Sequence, residues 1–282
     1  MSAVIDGHVH LWNRTRHPQE WIDPATMADI DRDFGADELH RMLAVTGAGV
    51  AILVQSTNSI TETADLLTLS ADPTVAGVVG WIDLVRDVPA QLADLRAGSG
   101  GEALRGIRHL AHQEADASWL LRDDVARGLS ALAASGLPFD LIVRDHQLPV
   151  AASVVRAHPD LEFVLDHLGN PSLGRDLTAW RRDLAALAAE PNVVAKISGL
   201  VTAAPRDAWN RGDLASLVDQ ALETFGPVRV LYGSDYPLVE LADGAAAWAL
   251  ELREMLTLLS PNEQAAVFGG TAAAVYRVPV DA

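Results

Sequence analysis

Eight short apolar runs, rich in Val, Ile and Leu, punctuate the chain: AVIDGHVH, GVAILVQS, VAGVVGWID, ALRGIRHL, PFDLIVRD, EFVLDHLG, NVVAKISG and VRVLYGSD, starting near residues 3, 49, 75, 103, 138, 162, 192 and 228. Each is nearly continuous instead of cleanly alternating, as expected of strands covered on both faces in a parallel sheet. Amphipathic stretches such as ADELHRMLAVTG, VARGLSALAASG, LTAWRRDLAALAAE and DLASLVDQALETFG lie between them. Gly or Pro often stands at their ends, where helices stop. Eight strand–helix alternations with no linker or low-complexity tract predict an α/β fold, a (β/α)8 TIM barrel forming a single domain over residues 1–282. A doubly wound open sheet is the alternative, but GHVHLW after the first run is not the glycine-rich phosphate fingerprint that would favour it. The segment from about 13 to 34, with Trp21 and two prolines, is long for a βα loop and reads as a lid or substrate wall.

Barrel enzymes place their chemistry at the C-terminal ends of the strands. Polar residues collect there in this chain. His8 and His10 end the first run and share one strand face, with Asp6 on the same row. Gln55 ends the second run, Trp81 and Asp83 the third, and Arg108 and His109 the fourth. The fifth holds Asp140, with Arg144, Asp145 and His146 at its end. Asp166 and His167 end the sixth, Lys196 and Ser198 the seventh, and Ser234 and Asp235 the eighth. The opposite ends begin with Ala, Gly, Val, Pro or Asn in seven of the eight runs and with Glu162 in the sixth, so chance explains the asymmetry poorly.

His8, His10, His167 and Asp235 form a ligand set for one divalent cation, zinc or manganese, with room for a water. The same residues also suit a metal-independent site, with the histidines and Arg108 polarising a carbonyl and Asp235 deprotonating water. His109, His112, Lys196, Trp81, Asp140 and Gln55 join Arg108 as candidate substrate contacts, and Trp12 and Trp21 are candidates for stacking on a ring. Each has a plainer reading: Asp235 as a helix cap, Arg108 as the ion-pair partner of Asp83 or Asp140, the tryptophans as packing. His17, His40 and His158 read as surface or loop residues, and Asp116, Asp123 and Asp124 as a solvated face or cap.

Composition narrows the classes. With 49% hydrophobic and 21% charged residues the chain is globular, and no apolar run is long enough to span a bilayer. The start shows no basic stretch leading into an apolar core, so no signal peptide is expected. Zero cysteines exclude disulfides and thiolate metal sites and fit a cytoplasmic location. A net charge of −17 argues against nucleic-acid and membrane partners and favours a neutral small molecule over a dianion. A homo-oligomer stays open.

The segments DGHVHLW, GIRHLAHQE, FDLIVRDHQLP, LDHLGNP, KISGLVT and YGSDYPL, in that order, resemble the amidohydrolase-related family of lactonases, and the likeness runs to VFGGTAAAVYR near the C-terminus. That family includes lactonases of L-fucono-, L-rhamnono- and L-galactonolactone and of 2-pyrone-4,6-dicarboxylate. The resemblance implies a barrel hydrolase opening a small cyclic ester. It maps the strand-one pair onto His8 and His10, the strand-six histidine onto His167 and the strand-eight acid onto Asp235. No lysine ends the fourth run, which speaks against a binuclear centre, and some members work without metal. The chain departs from relatives at His112, Gln113, Asp145, Ala203 and Tyr236, around the expected mouth of the pocket.

The expectation is therefore hydrolysis of a sugar-acid lactone by water that Asp235 activates, with the oxyanion held by His8, His10, His167 and Arg108. The rivals are a mononuclear-metal decarboxylase or other amidohydrolase acting on a small carboxylate, and a ligand-binding barrel that has lost turnover.

Overall fold

The computed structural model describes residues 4–202 and 210–279. Eight parallel strands run in chain order around one sheet: β1 (Ile5–Val9), β2 (Val50–Val54), β3 (Val75–Gly80), β4 (Leu104–His109), β5 (Phe139–Leu141), β6 (Phe163–Leu165), β7 (Val193–Ile197) and β8 (Val230–Tyr232). The strands are shorter than the apolar runs, because the polar ends of the runs leave the ladder. The barrel closes through residues singled out as candidates in the sequence: Asp235 donates its backbone N–H to His8 O at 3.0 Å, and His10 donates to Tyr236 O at 2.6 Å. Closure and the placement of the candidate site are thus one structural event.

The helices are α1 (Ala36–Thr46), α2 (Ile60–Thr68), α3 (Val88–Ala97), α4 (Asp123–Ala133), α5 (Leu148–Ala157), α6 (Thr178–Ala188), α7 (Arg211–Phe225), α8 (Gly244–Met255), α9 (Pro261–Ala265) and α10 (Thr271–Val275). Their buried residues recur at helical spacing, as with Val125, Gly128, Leu129 and Leu132 in α4. Caps fall where the sequence supplies them: Ser59 Oγ accepts from Glu62 N, and Asp87 Oδ1 accepts from Ala90 N. Asp123 and Asp124 do occupy the first turn of α4, at the end of a helix that favours acids. None of the helices among the described residues is long and apolar enough to cross a membrane.

The VFGGTAAAVYR segment forms the floor of the barrel. Ala272, Val275 and Tyr276 pack with the inward-facing Ile5, Ile52, Val79, Val164 and Leu231. Thr271 donates to Val228 O, ahead of β8, which places α10 at the N-terminal end of the strands. The long segment after β1 is pinched at its base by reciprocal backbone bonds between Trp12 and Phe34, 3.1 and 2.9 Å. Ala203 lies outside the described residues.

Candidate active site

The paired histidines of β1 do point to one side. His8 Nε2 and His10 Nε2 are 3.1 Å apart, and both rings are buried. Asp6 does not reach the cavity; its Oδ1 accepts from the N–H groups of His8 and Ser234 and ties β1 to the end of β8. Burial pushes its carboxyl up to about 6.

His167 and Asp235 are delivered by strained backbone. After β6 the chain turns at Asp166–Gly169 with His167 and Leu168 at φ +53° and +52°, and Asp235 sits at φ +61°. Non-glycine residues rarely hold this left-handed region, and such outliers gather at functional sites. Gly199, at φ +64°, faces both: a Cβ there would lie 2.6 Å from His167 Nδ1 and 2.9 Å from Asp235 Oδ2. Only glycine leaves room for the pair.

Three imidazole nitrogens surround one carboxylate oxygen. Asp235 Oδ1 lies 3.7 Å from His8 Nε2, 3.6 Å from His10 Nε2 and 3.9 Å from His167 Nε2, and it accepts no hydrogen bond. His10 donates from Nδ1 to Val54 O at 2.7 Å, which leaves its Nε2 lone pair facing the cavity. His167 Nδ1 is within 2.9 Å of Ser198 Oγ. Burial holds both His8 and His167 below the usual imidazole range; the Lys196 ammonium adds to the effect at His8, whereas the Asp235 carboxylate opposes it at His167. One ligand atom from each of His8, His167 and Asp235 fits within 4.8 Å, a compact set for a divalent cation, with His10 adjoining it. Neutral imidazoles, an orphaned carboxylate oxygen and a ring oriented by a carbonyl are what such an ion requires.

Beneath the histidines lies a buried ionic layer. Arg108 donates to Asp166 Oδ2 at 2.9 Å and to Gln55 O, and does not pair with Asp83 or Asp140. Lys196 Nζ donates to Asp140 Oδ2 at 2.6 Å, stands 3.0 Å from Asp166 Oδ1 and donates to His8 Nδ1 at 3.0 Å. Tyr276, rising from the floor, donates to Asp140 Oδ2 at 2.7 Å. Burial opposes ionisation of Asp166, but the Lys196 ammonium and the Arg108 guanidinium more than reverse that and hold it well below the carboxylate range.

A cavity of about 400 Å³ opens above this layer, lined by His10, Arg108, His167 and Asp235. Trp21 and Met27 of the long loop wall it on one side, and Ser56, Leu110, His112, Gln113, Ile142, Arg144 and Leu238 complete it. His112 is pushed down to about 3, chiefly by burial and by Arg108, and its Nδ1 has no hydrogen-bond partner. A second cavity, about 550 Å³, lies beside Trp12 and Phe34 and holds none of the clustered histidines.

Of the residues singled out in the sequence, His10, His167, Asp235, Arg108, His112, Gln113 and Arg144 therefore meet at one cavity, and His8, fully buried, lies against it with its Nε2 3.1 Å from His10 Nε2. Lys196, Asp140 and Gln55 lie below it within the barrel and do not line it. His109 and Trp81 also stay outside. His109 stacks on Trp119 at 3.9 Å, accepts from Trp81 Nε1 at 3.0 Å and meets Glu114 at 2.7 Å, so both its nitrogens are occupied. Asp166 ends the sixth run but carries no role in the sequence reading, and Tyr276 and the apolar wall escape it. The signal for Asp166 is an acid directly before His167 in LDHLG; Met27, Leu110 and Ile142 look like any core residues.

Residues 5–278 match the family model described as Amidohydrolase. The chain is 40% identical to an L-fucono-1,5-lactonase of Burkholderia multivorans over 99% of this chain and 98% of that one. It is 34% identical to an L-fucono-1,5-lactonase of Burkholderia ambifaria over 99% and 97%. An amidohydrolase crystal structure from Burkholderia multivorans with bound zinc superposes with a TM-score of 0.90 at 37% identity, covering 99% of this chain and all of that one.

Proposed function

The chain belongs to the amidohydrolase family, and from that premise we propose that it hydrolyses a sugar-acid lactone of the L-fucono-1,5-lactone type to the open acid. The observation that carries the reading is the unpartnered Asp235 Oδ1 surrounded by three imidazole Nε2 atoms at 3.6–3.9 Å, in a cavity of about 400 Å³ whose floor bears the Arg108 guanidinium. The full-length likeness to two lactonases supports it.

In this reading Asp235 accepts a proton from water, and that water attacks the ring carbonyl. The developing oxyanion lies toward His8, His167 and Arg108, which are already in place and buried, so they stabilise it without reorganising. Asp235 then returns the proton to the departing ring oxygen. His8, His167 and Asp235, with His10 beside them, would hold one divalent cation, and such an ion would polarise the carbonyl and acidify water. Met27, Leu110, Ile142 and Leu238 supply an apolar wall against the carbon skeleton, and Trp21 and His112 flank the entrance.

The test is a pH-indicator assay over a panel of aldonolactones, with and without chelator. Asp235→Asn should lower kcat/KM on the best lactone by about 10² to 10⁴-fold, the range for loss of a positioned base, with the circular dichroism spectrum unchanged. A parental rate in that variant refutes the assignment.

A further inference from the structure

The hydrogen bonds around His8 dictate where its ring carries a proton. Val54 O is a carbonyl and only accepts, so His10 Nδ1, 2.7 Å away, is the protonated nitrogen of that ring and His10 Nε2 is bare. The 3.1 Å contact between the two Nε2 atoms then needs its proton from His8. On the other edge of the His8 ring, Lys196 Nζ lies 3.0 Å from Nδ1, and an ammonium only donates. Both contacts give the same answer: Nε2–H and a bare Nδ1. Arg108 Nη1, 3.4 Å from His8 Nε2, favours the opposite arrangement, but this is the longest of the three contacts to the ring, so the shorter pair decides.

This arrangement opposes cation binding, which needs the Nε2 lone pair and a proton on Nδ1. The structure also contains the acceptor for that second arrangement. Asp166 Oδ1 is buried, accepts no aligned hydrogen bond and lies 3.4 Å from His8 Nδ1.

We propose that Lys196 is a positioning residue that, anchored by Asp140 and Tyr276, holds His8 as an Nε2–H donor toward His10 Nε2, so that a divalent cation must displace this proton to bind. The proton's position rests on hydrogen-bond geometry and not on the lactonase reading. Lys196 thus acts through His8 and touches no substrate, and its anchor reaches down to the barrel floor through Tyr276 and Asp140, 2.7 and 2.6 Å per link.

The first experiment uses the wild-type protein, ¹⁵N-labelled at histidine and stripped with chelator. Ring ¹⁵N chemical shifts distinguish protonated from bare nitrogens, and His8→Asn identifies the His8 signals. A protonated Nε2 and bare Nδ1 are expected; a protonated Nδ1 overturns the proposal. The second compares zinc affinity, by competition with a chromophoric chelator, between wild type and Lys196→Met/Asp140→Asn, in which the ammonium and its partner charge are removed together. Zinc should bind the variant at least tenfold more tightly, and equal or weaker binding overturns the proposal. General damage to the barrel would loosen zinc, so tightening is not a by-product of misfolding. If the variant does not fold, the ¹⁵N spectrum of the wild type decides alone. Neither readout uses a lactone: an inactive wild type with the expected spectrum would sink the functional reading and leave the proton assignment standing.

Discussion

Gly199→Ala perturbs the site without removing a single functional group. Its Cβ would fall 2.6 Å from His167 Nδ1 and 2.9 Å from Asp235 Oδ2. Ordinary contact is about 3.5 Å, so the two side chains must retreat by roughly 0.9 and 0.6 Å. A displacement of that size at a reacting group costs about 10²-fold in rate. Alanine at φ +64° adds about 1–2 kcal/mol of backbone strain, equivalent to a fall in Tm of roughly 2–8 °C for a domain of this size. Gly226 is the control: it stands at φ +73° with nothing within 4 Å of the position a Cβ would take, so Gly226→Ala should lose stability and keep its rate. The measurements are lactone hydrolysis and thermal unfolding of both variants. A Gly199→Ala protein with parental kcat/KM, or equal activity losses in the two variants, would show that the His167–Asp235 gap is not where the chemistry occurs.

Three further variants probe the surroundings. Glu62 accepts from Ser56 N, Thr57 N and both hydroxyls, and Ser56 O in turn accepts from Trp21 Nε1 at 3.2 Å; Glu62→Gln should cost about 1.5–3 kcal/mol and raise KM more than it lowers kcat. Tyr276→Phe removes a donor to buried Asp140 and should lower stability by about 1–3 kcal/mol in urea unfolding. His112, at about 3 when folded and near 6.5 when unfolded, is neutral in the native state while the unfolded chain takes up its proton. Its stabilising contribution is therefore full above 6.5 and declines as pH falls, by up to about 1.4 kcal/mol per unit before allowance for its partial exposure. Unfolding titrations between pH 7 and 5 should show a shallower loss for His112→Gln than for wild type, and identical slopes would refute the burial argument.

The barrel was legible because its strands are covered on both faces: LIV-rich runs at regular spacing leave few other folds. The clustered residues were legible for a related reason. His8, His10, His167 and Asp235 end strands in different parts of the chain, and a barrel brings strand ends together whatever their separation. Depth along the barrel axis was not legible. Gln55 and Lys196 end their runs as His10 does, and Asp140 is as polar, yet all three sit beneath the cavity, because a residue's height depends on stagger between neighbouring strands, which a linear sequence does not display. Trp81 and His109 show a second blind spot: a side chain at the right end of a strand can turn outward and satisfy itself locally, as His109 does between Trp119, Trp81 and Glu114.

The layered interior separates what stabilises this barrel from what makes it useful. The lowest level is apolar, Ile5, Ile52, Val79, Val164 and Leu231 against α10, and resembles the packed layers that ordinarily fill such barrels. Above it, Lys196, Asp140, Asp166 and Arg108 replace that filling with four buried charges. Apolar substitutes for a buried ion network are often neutral or more stable by about 1–4 kcal/mol, so stability gives little reason for this layer to be ionic. Its geometry supplies one. Every member contacts His8 directly or through a single neighbour: Lys196 at Nδ1, Asp166 at 3.4 Å from the same atom, Arg108 at 3.4 Å from Nε2, and Asp140 through Lys196. A ring that must present one nitrogen in one protonation state needs its other edge dictated by a directional partner, which for His10 is the Val54 carbonyl and for His8 the Lys196 ammonium. The polar layer is therefore best understood as the orienting apparatus of a single histidine, set on a hydrophobic floor.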